Sequence, residues 1–381
     1  MPKLLTDHVF FLHSVTLTYL TLNIQFLKAN NGDSILVAVA DQKGDQRHIV
    51  IDSGMPQTYY YSSENSYGDL KNKVINPLSE TGKKIDLFIL THIDEDHIGG
   101  IWKWIEKEKD SAYKLIESIW FNSGKSIADE FKLSENPLLQ HKLEIFGSFK
   151  TSVKQAVTFE EYINTHGLWD KQLIGQGQEY QKFGIKFKIL SPGTKQLKDL
   201  VEHYKGEVQD DYFTSAEPLD YKSTIKSLID EEADEKWKFI EDDTETNGSA
   251  IAFIMQHEEK DFLFMADAHP SVVLNELKKL KFTVDEPLIV EFMKMSHHAS
   301  SFNTSKDLLD HIKTNHYIIS TSGQKHSHPH KRTIARIINK NPKAKIYFNY
   351  PELIPMIWKA QDKLDYSEVT LKGISLYPED L

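Results

Sequence analysis

Cysteine is absent from all 381 residues, so no disulfide scaffold, thiolate metal site or cysteine nucleophile can be built, and any chemistry falls to nitrogen and oxygen groups. Long apolar runs are missing too: no later stretch offers the roughly 18 uninterrupted apolar residues that a membrane-spanning helix needs. Leu4 to Leu22 comes nearest, but Asp7, His8 and His13 interrupt it, and the ordered charged, apolar and small-residue regions of a signal peptide do not appear. The expectation is a soluble, cytoplasmic protein without a membrane partner. Polar bias of the kind that marks disorder is also lacking. With 40% hydrophobic and 27% charged residues, the chain can bury a large core. No fixed-period repeat and no low-complexity linker breaks it. We therefore expect one domain over residues 20–381, with insertions at about 103–175 and 195–246 and an N-terminal extension at 1–19.

Charge of one sign is unevenly spread. The net charge is -11, yet residues 207–247 hold fourteen acidic residues against four lysines, leaving 42 acidic and 41 basic residues elsewhere. The body is nearly neutral, so the overall acidity does not by itself exclude a nucleic-acid substrate. The acidic run is first a solvated insertion, and it is also the candidate surface for a protein partner.

Several short β-branched runs end in side chains suited to metal binding. His48 to Ile51 stops at Asp52-Ser53-Gly54, and Ile85 to Leu90 stops at Thr91-His92. Phe262 to Met265 stops at Ala266-Asp267, Leu288 to Met295 at Ser296-His297-His298, and Tyr317 to Ser320 leads toward Lys325-His326-Ser327-His328. Helices are expected from Ile101 to Lys109 and from Ser271 to Leu280, with Trp104, Trp120 and Trp169 as buried anchors.

His92-x-Asp94-x-Asp96-His97 is the densest of these clusters. Packing and solubility do not require four such groups in six residues. Imidazole with carboxylate suits Zn²⁺, and the high carboxylate share also admits Mn²⁺ or Fe²⁺. Neighbouring side chains point in different directions, so two ions, each taking one pair, are more economical than one. The bland alternative is a capping loop, with Asp94 and Asp96 serving only the following helix.

The chain resembles the metallo-β-lactamase fold, in the branch that includes the hydrolase domain of the ComEC competence proteins and related phosphodiesterases. The resemblance runs from about Asn23 to Ile337. It rests on Asn31-Gly32-Asp33-Ser34, Ile51-Asp52-Ser53-Gly54, Leu90 to Gly100, Asn247-Gly248-Ser249, Ala266-Asp267-Ala268, Lys294 to His298 and Ser327-His328-Pro329. It implies an α+β sandwich of four layers, αββα, with metals at one sheet edge. By the same resemblance Asp267 bridges two divalent cations. His92, Asp94 and one of His297 or His298 complete one site, and Asp96, His97 and His328 the other. Asp96, Asp267 and His298 are the implied catalytic residues, and Asp33, Asp52 and Asn247 are the supports behind the ligands. The branch usually has glycine where this chain has Ala266, Ala299 and Ser327. Non-glycine residues resist positive φ, so small shifts in ligand geometry are expected there.

Paired ions lower the pKa of a bridging water to give hydroxide at neutral pH and stabilise a leaving oxygen, chemistry that suits phosphoesters, lactones, thioesters and amides alike. Lys325, His330 and Arg332 around His328, at the start of a helix, add a signal for a phosphate-bearing substrate. The leading expectation is a two-metal phosphodiesterase, with nuclease activity included. The alternatives are lactone, thioester or amide hydrolysis on the same cradle, or a partner-binding regulatory module.

Overall fold

The computed structural model describes residues 22–133, 151–204, 219–324 and 327–381. The 1–19 extension, residues 207–218 of the acidic run, Lys325 and His326 lie outside the described residues.

Strands in chain order are Leu22–Phe26 (β1), Ile35–Ala40 (β2), Gln46–Ile51 (β3), Leu87–Ile89 (β4) and Ile119–Trp120 (β5). They continue with Glu179–Lys182 (β6), Ile185–Ser191 (β7), Ala252–His257 (β8), Lys260–Phe264 (β9) and Phe292–Lys294 (β10). His316–Ile319 (β11), Lys345–Phe348 (β12), Thr370–Gly373 (β13) and Leu376–Tyr377 (β14) complete the two large sheets. One sheet runs β14-β1-β2-β3-β4-β5, the other β13-β12-β11-β10-β9-β8-β7-β6.

Period-two alternation along these strands sorts side chains into three apolar layers. Ile49 and Ile51 face the opposite sheet, whereas Val50 between them faces outward. Phe253 and Phe264 likewise point between the sheets, and Ile254 and Leu263 point out. Helices cover both outer faces. Glu95–Lys107 (α1), Thr151–Thr165 (α2) and Thr194–His203 (α3) lay Trp104, Phe159 and Leu200 on the first sheet. Ile225–Ala233 (α4), Pro270–Lys279 (α5) and Lys331–Lys340 (α6) lay Leu228, Leu277 and Ile334 on the second. Each fully buried side chain of this size contributes roughly 1.5–3 kcal/mol. The architecture is the expected αββα sandwich. The described parts of 103–175 and 195–246 supply outer helical cover, and Trp104, Trp120 and Trp169 are buried.

Two expectations are corrected. The helix expected from Ile101 starts at Glu95, so the charged loop is itself the first helical turn. The strand expected from Leu288 to Met295 is two pieces, Leu288–Ile289 paired with Ile312–Lys313, and β10 in the main sheet.

Candidate metal centre

Parallel pairing carries the site. Strands β3 and β4 run parallel in one sheet, and β9, β10 and β11 run parallel in the other. Their carboxyl ends therefore open at one edge of the sandwich, where Asp52, His92, Asp267, His297 and His298 follow directly.

His92, His97 and Asp267 place one ligand atom each within 4.8 Å of one another, and so do Asp96, His97 and His298. Asp267 is central. Its Oδ2 lies 3.8 Å from His92 Nε2, 3.7 Å from His297 Nε2 and 3.8 Å from His298 Nε2, and its Oδ1 lies 3.4 Å from His97 Nε2. His298 Nε2 is also 3.2 Å from Asp96 Oδ2. Asp94 is the N-cap residue of α1, but its side chain makes no capping hydrogen bond. Instead Asp94 Oδ2 accepts from Thr246 Oγ1 at 3.0 Å and stands 3.7 Å from His92 Nε2. A capping loop alone does not account for that orientation.

Each histidine is held by its other ring nitrogen. His97 Nδ1 donates to Asp52 at 2.8 Å, while Asp52 also accepts from the Thr91 N–H and hydroxyl. Because that hydroxyl proton goes to Asp52, His92 Nδ1 is the donor toward Thr91 Oγ1 at 3.0 Å. His298 Nδ1 donates to the Ser320 carbonyl at 2.8 Å. With Nδ1 held as the donor, loss of the second ring proton would leave an Nε2 lone pair facing the centre, as metal-ligating histidines require. The buried Nε2 atoms of His92 and His97 and the Oδ1 of Asp267 have no hydrogen-bond partner among the described residues. Orphaned lone pairs aimed at one point fit a divalent cation, and leaving them unmatched is costly.

The electrostatics agree. Burial and the adjacent His97 push His92 down to about 3. Burial, and then the Asp96 charge, push Asp94 up to about 7. Burial alone would raise Asp267, but His97, His297 and His298 hold it well below the ordinary carboxylate range. Against burial, Asp267 and Asp33 push His298 up to about 10, and Asp267, Asp52 and Asp96 hold His97 well above its ordinary value, so protons on these rings are the counter-charge that a cation would displace.

Local backbone explains how the loops meet. A Cβ on Gly32 would stand 1.7 Å from the Asp96 carbonyl oxygen, so only glycine lets the Asp33 loop touch the start of α1. Ala266, Ala299 and Ser327, standing where glycine was expected, take φ of 45°, 68° and 58°, as do His297 and His298 at 45° and 52°. The left-handed conformation is kept in spite of the side chains, at roughly 1–3 kcal/mol of strain for each.

The resemblance left either His297 or His298 for the side of His92 and Asp94, with His328 on the other side. His298 stands with Asp96 and His97, not with His92 and Asp94. His297 Nε2 is near Asp267, its Nδ1 faces Asn303 at 3.0 Å and Asp242 at 3.5 Å, and Asn247 Nδ2 lies 3.3 Å away. His328 is buried with its ring centre 4.6 Å from that of His297 and 6.2 Å from that of His298. Asp33 accepts from Lys294 and is 3.6 Å from His298. Asp242, Asn303, Thr91, Lys294 and Ser320 were missed by sequence reasoning. Thr91 sits inside the motif and was findable, whereas Asp242 was hidden in the acidic run.

Of the expected basic surround, Lys325 lies outside the described residues, and Arg332 and Lys331 are engaged by acids. The Arg332 guanidinium pairs with Glu231 at 2.7 Å and Glu232 at 3.6 Å. Lys331 is buried against Asp362 at 2.7 Å. His330 accepts the Ser301 N–H on Nδ1, and burial and the charge of His297 push it down to about 4.

A family model of the metallo-beta-lactamase superfamily matches residues 28–125, about a quarter of the chain, spanning the His92 to His97 loop and all of α1. The matched segment and the four-layer sandwich define the fold, that of the metallo-β-lactamases. Among solved structures, the metallo-beta-lactamase fold protein YhfI from Bacillus subtilis is similar at 9% identity and TM-score 0.39, over 93% of this chain and 98% of that one. Zn²⁺-bound PqqB from Methylobacterium extorquens is similar at 9% identity and TM-score 0.39, with the same coverage of 93% and 98%. Neither likeness is near enough to bring a substrate with it. No curated protein matches the chain. Among the described residues, no helix is long and apolar enough to cross a membrane.

Proposed function

We propose that this chain is a two-metal phosphodiesterase of the ComEC type. The observation that carries the metal reading is the convergence of the unpartnered His92 Nε2, His97 Nε2 and Asp267 Oδ1 on one point. His92, Asp94, Asp267 and His297 would hold one cation; Asp96, His97, Asp267 and His298 would hold the other, with His328 beside both histidines of the pair. The mixed imidazole and carboxylate donors suit Zn²⁺ first and Mn²⁺ or Fe²⁺ next. Cations bound there would supply Lewis acidity and a strong oxygen nucleophile at neutral pH. The protein's own part would be to present Asp267 to both positions and to hold each ring by its Nδ1 so that Nε2 faces the centre. Asp267 and Asp96 would carry the catalytic charge and His298 would fix its side of the cradle. His330 is a donor for a substrate oxygen among the described residues: with Nδ1 accepting from Ser301, its Nε2 bears the proton.

The ordered motif series supports phosphodiesters over other esters. One observation favours a second reading, an uncharged or cationic lactone, thioester or amide. A cleft of about 230 Å³, lined by Asp199, Glu241, Asp242, Asp243 and Glu245, adjoins the His297 side of the centre, and such a wall repels a polyanion. Polymeric nucleic acid is therefore the least favoured phosphodiester. Metal-loaded protein should turn over bis-p-nitrophenyl phosphate faster than single- or double-stranded nucleic acid. Turnover confined to lactones, thioesters or amides would replace the phosphodiester reading, and no metal-dependent turnover of any would leave a partner-binding module.

A further inference from the structure

Behind the ligands, between the two sheets, lies a cavity of about 10 Å³ whose polar lining is Asp33, Asp52, Thr91 and Lys294. Its apolar walls come from both sheets, including Ile51, Phe253 and Phe264. That volume is at the threshold for one water molecule, and a buried water needs two or more polar partners. The lining offers them. Lys294, only 1% exposed, spends one of its ammonium protons on Asp33 Oδ2 at 2.6 Å and one on the Met295 carbonyl at 3.1 Å. An ammonium has three donors. The buried Asp33 Oδ1 has no hydrogen-bond partner among the described residues.

Asp33 and Asp52 are also the carboxylates behind the two histidines of one metal position. Asp52 accepts from His97 Nδ1, and Asp33 Oδ1 stands 3.6 Å from His298 Nδ1. His97 and His298 are the imidazoles that, with Asp96, form one candidate cation site. A lysine and two aspartates beneath a pair of histidines give that side of the centre a charged floor. The His92 ring rests on the Thr91 hydroxyl, one hydrogen bond further from Asp52.

We propose that Lys294 and one water molecule bound in this cavity join Asp33 to Asp52, making Lys294 a positioning residue for the Asp96, His97 and His298 site alone. The water accepts from the third Lys294 N–H and donates one proton to Asp33 Oδ1 and the other to Asp52, so the supports of both rings move as one unit. The inference rests on the two-metal reading. If the wild-type chain binds no metal, that reading fails first; the outcomes below separate the two.

The test is a Co²⁺ titration of the full chain, followed by calorimetry and by the visible spectrum, on the wild type and Lys294→Met. One of two equivalents should weaken at least about tenfold, within the range for losing an outer-shell partner, while the other keeps its affinity. The residual spectrum should match that of His298→Ala and differ from that of His92→Ala. Lys294→Met also strands a buried Asp33 charge, so Asp33→Asn/Lys294→Met is made alongside it. The double variant should recover thermal stability without recovering the weakened equivalent. A crystal structure of the wild type should show a water between Lys294 Nζ and Asp33 Oδ1. Full affinity for both equivalents in Lys294→Met, equal weakening of both, recovery of the lost equivalent in the double variant, or a dry cavity would overturn the proposal.

Discussion

The two halves of the cradle reach the same point by different physics. The N-terminal half, His92 to His97, is a strand-to-helix loop in which no residue takes a positive φ, and its rings are braced by Thr91 and Asp52. The C-terminal half, Ala266 to Asp267 and Ser296 to Ala299, is strained, with four non-glycine residues in the left-handed region. Hydrogen bonds set the first half. In the second, packing holds the strain: Ala266, His298 and Ala299 are all buried. Strain of this kind persists only where the surroundings over-determine the backbone, so ligand geometry should be easier to perturb from the N-terminal side by removing one bond, and easier to relax on the C-terminal side by removing one methyl.

The largest effect should come from the group the halves share. Asp267→Ala should lower metal-dependent turnover by about a thousandfold or more and cost bound metal in both positions, because it removes the carboxylate that lies within 3.8 Å of all four rings. Retention of one tight equivalent, measured by metal analysis of the purified variant, would show that the halves bind independently. Gly32→Ala should come next. The added Cβ meets the Asp96 backbone, so α1 must shift; a loss of several kcal/mol is expected by thermal denaturation, typical of a severe clash. A near-wild-type Tm would mean the two loops are not in contact.

Asp52→Asn should then weaken metal binding about 10- to 100-fold with the fold retained, an effect confined to the braced half and read by competition with a chromogenic chelator. Acid should act more gently. Asp94 is pushed up to about 7 in the metal-free chain, so below that pH it holds a proton that a cation must displace. Affinity at its position should fall about tenfold per pH unit below 7 and level off above it. A flat calorimetric profile from pH 5 to 8 would contradict the raised Asp94. Smallest of all, Ala299→Gly should stabilise the metal-free protein by about 0.5–1 kcal/mol, the strain relieved less the added chain entropy. Destabilisation of that size would show that the left-handed turn is not strained.

The fold was legible because strands such as Gln46–Ile51 alternate cleanly and because chain order places metal-type residues at several strand ends. The first ligand loop was legible because its ligand groups are local. What escaped depends on distance along the chain. Lys294 sits in an apolar strand, and its partner Asp33 is 261 residues away, so nothing nearby marks it as buried and paired. Arg332 and Lys331 looked like a phosphate surround because Glu231, Glu232 and Asp362 are remote in sequence. The split between His297 and His298 turns on consecutive positive φ values, which side-chain identity does not announce. The start of α1 was placed late because apolar periodicity begins only after the charged turn that carries Asp96 and His97.

Anomalous diffraction from crystals of the Zn²⁺-loaded chain addresses the centre most directly. Two peaks about 3.5–4 Å apart, on opposite sides of the Asp267 carboxylate and each contacting one pair from the His92 to His97 loop, are the result expected. A single peak, or density away from Asp267, would contradict a cradle shared between the two halves.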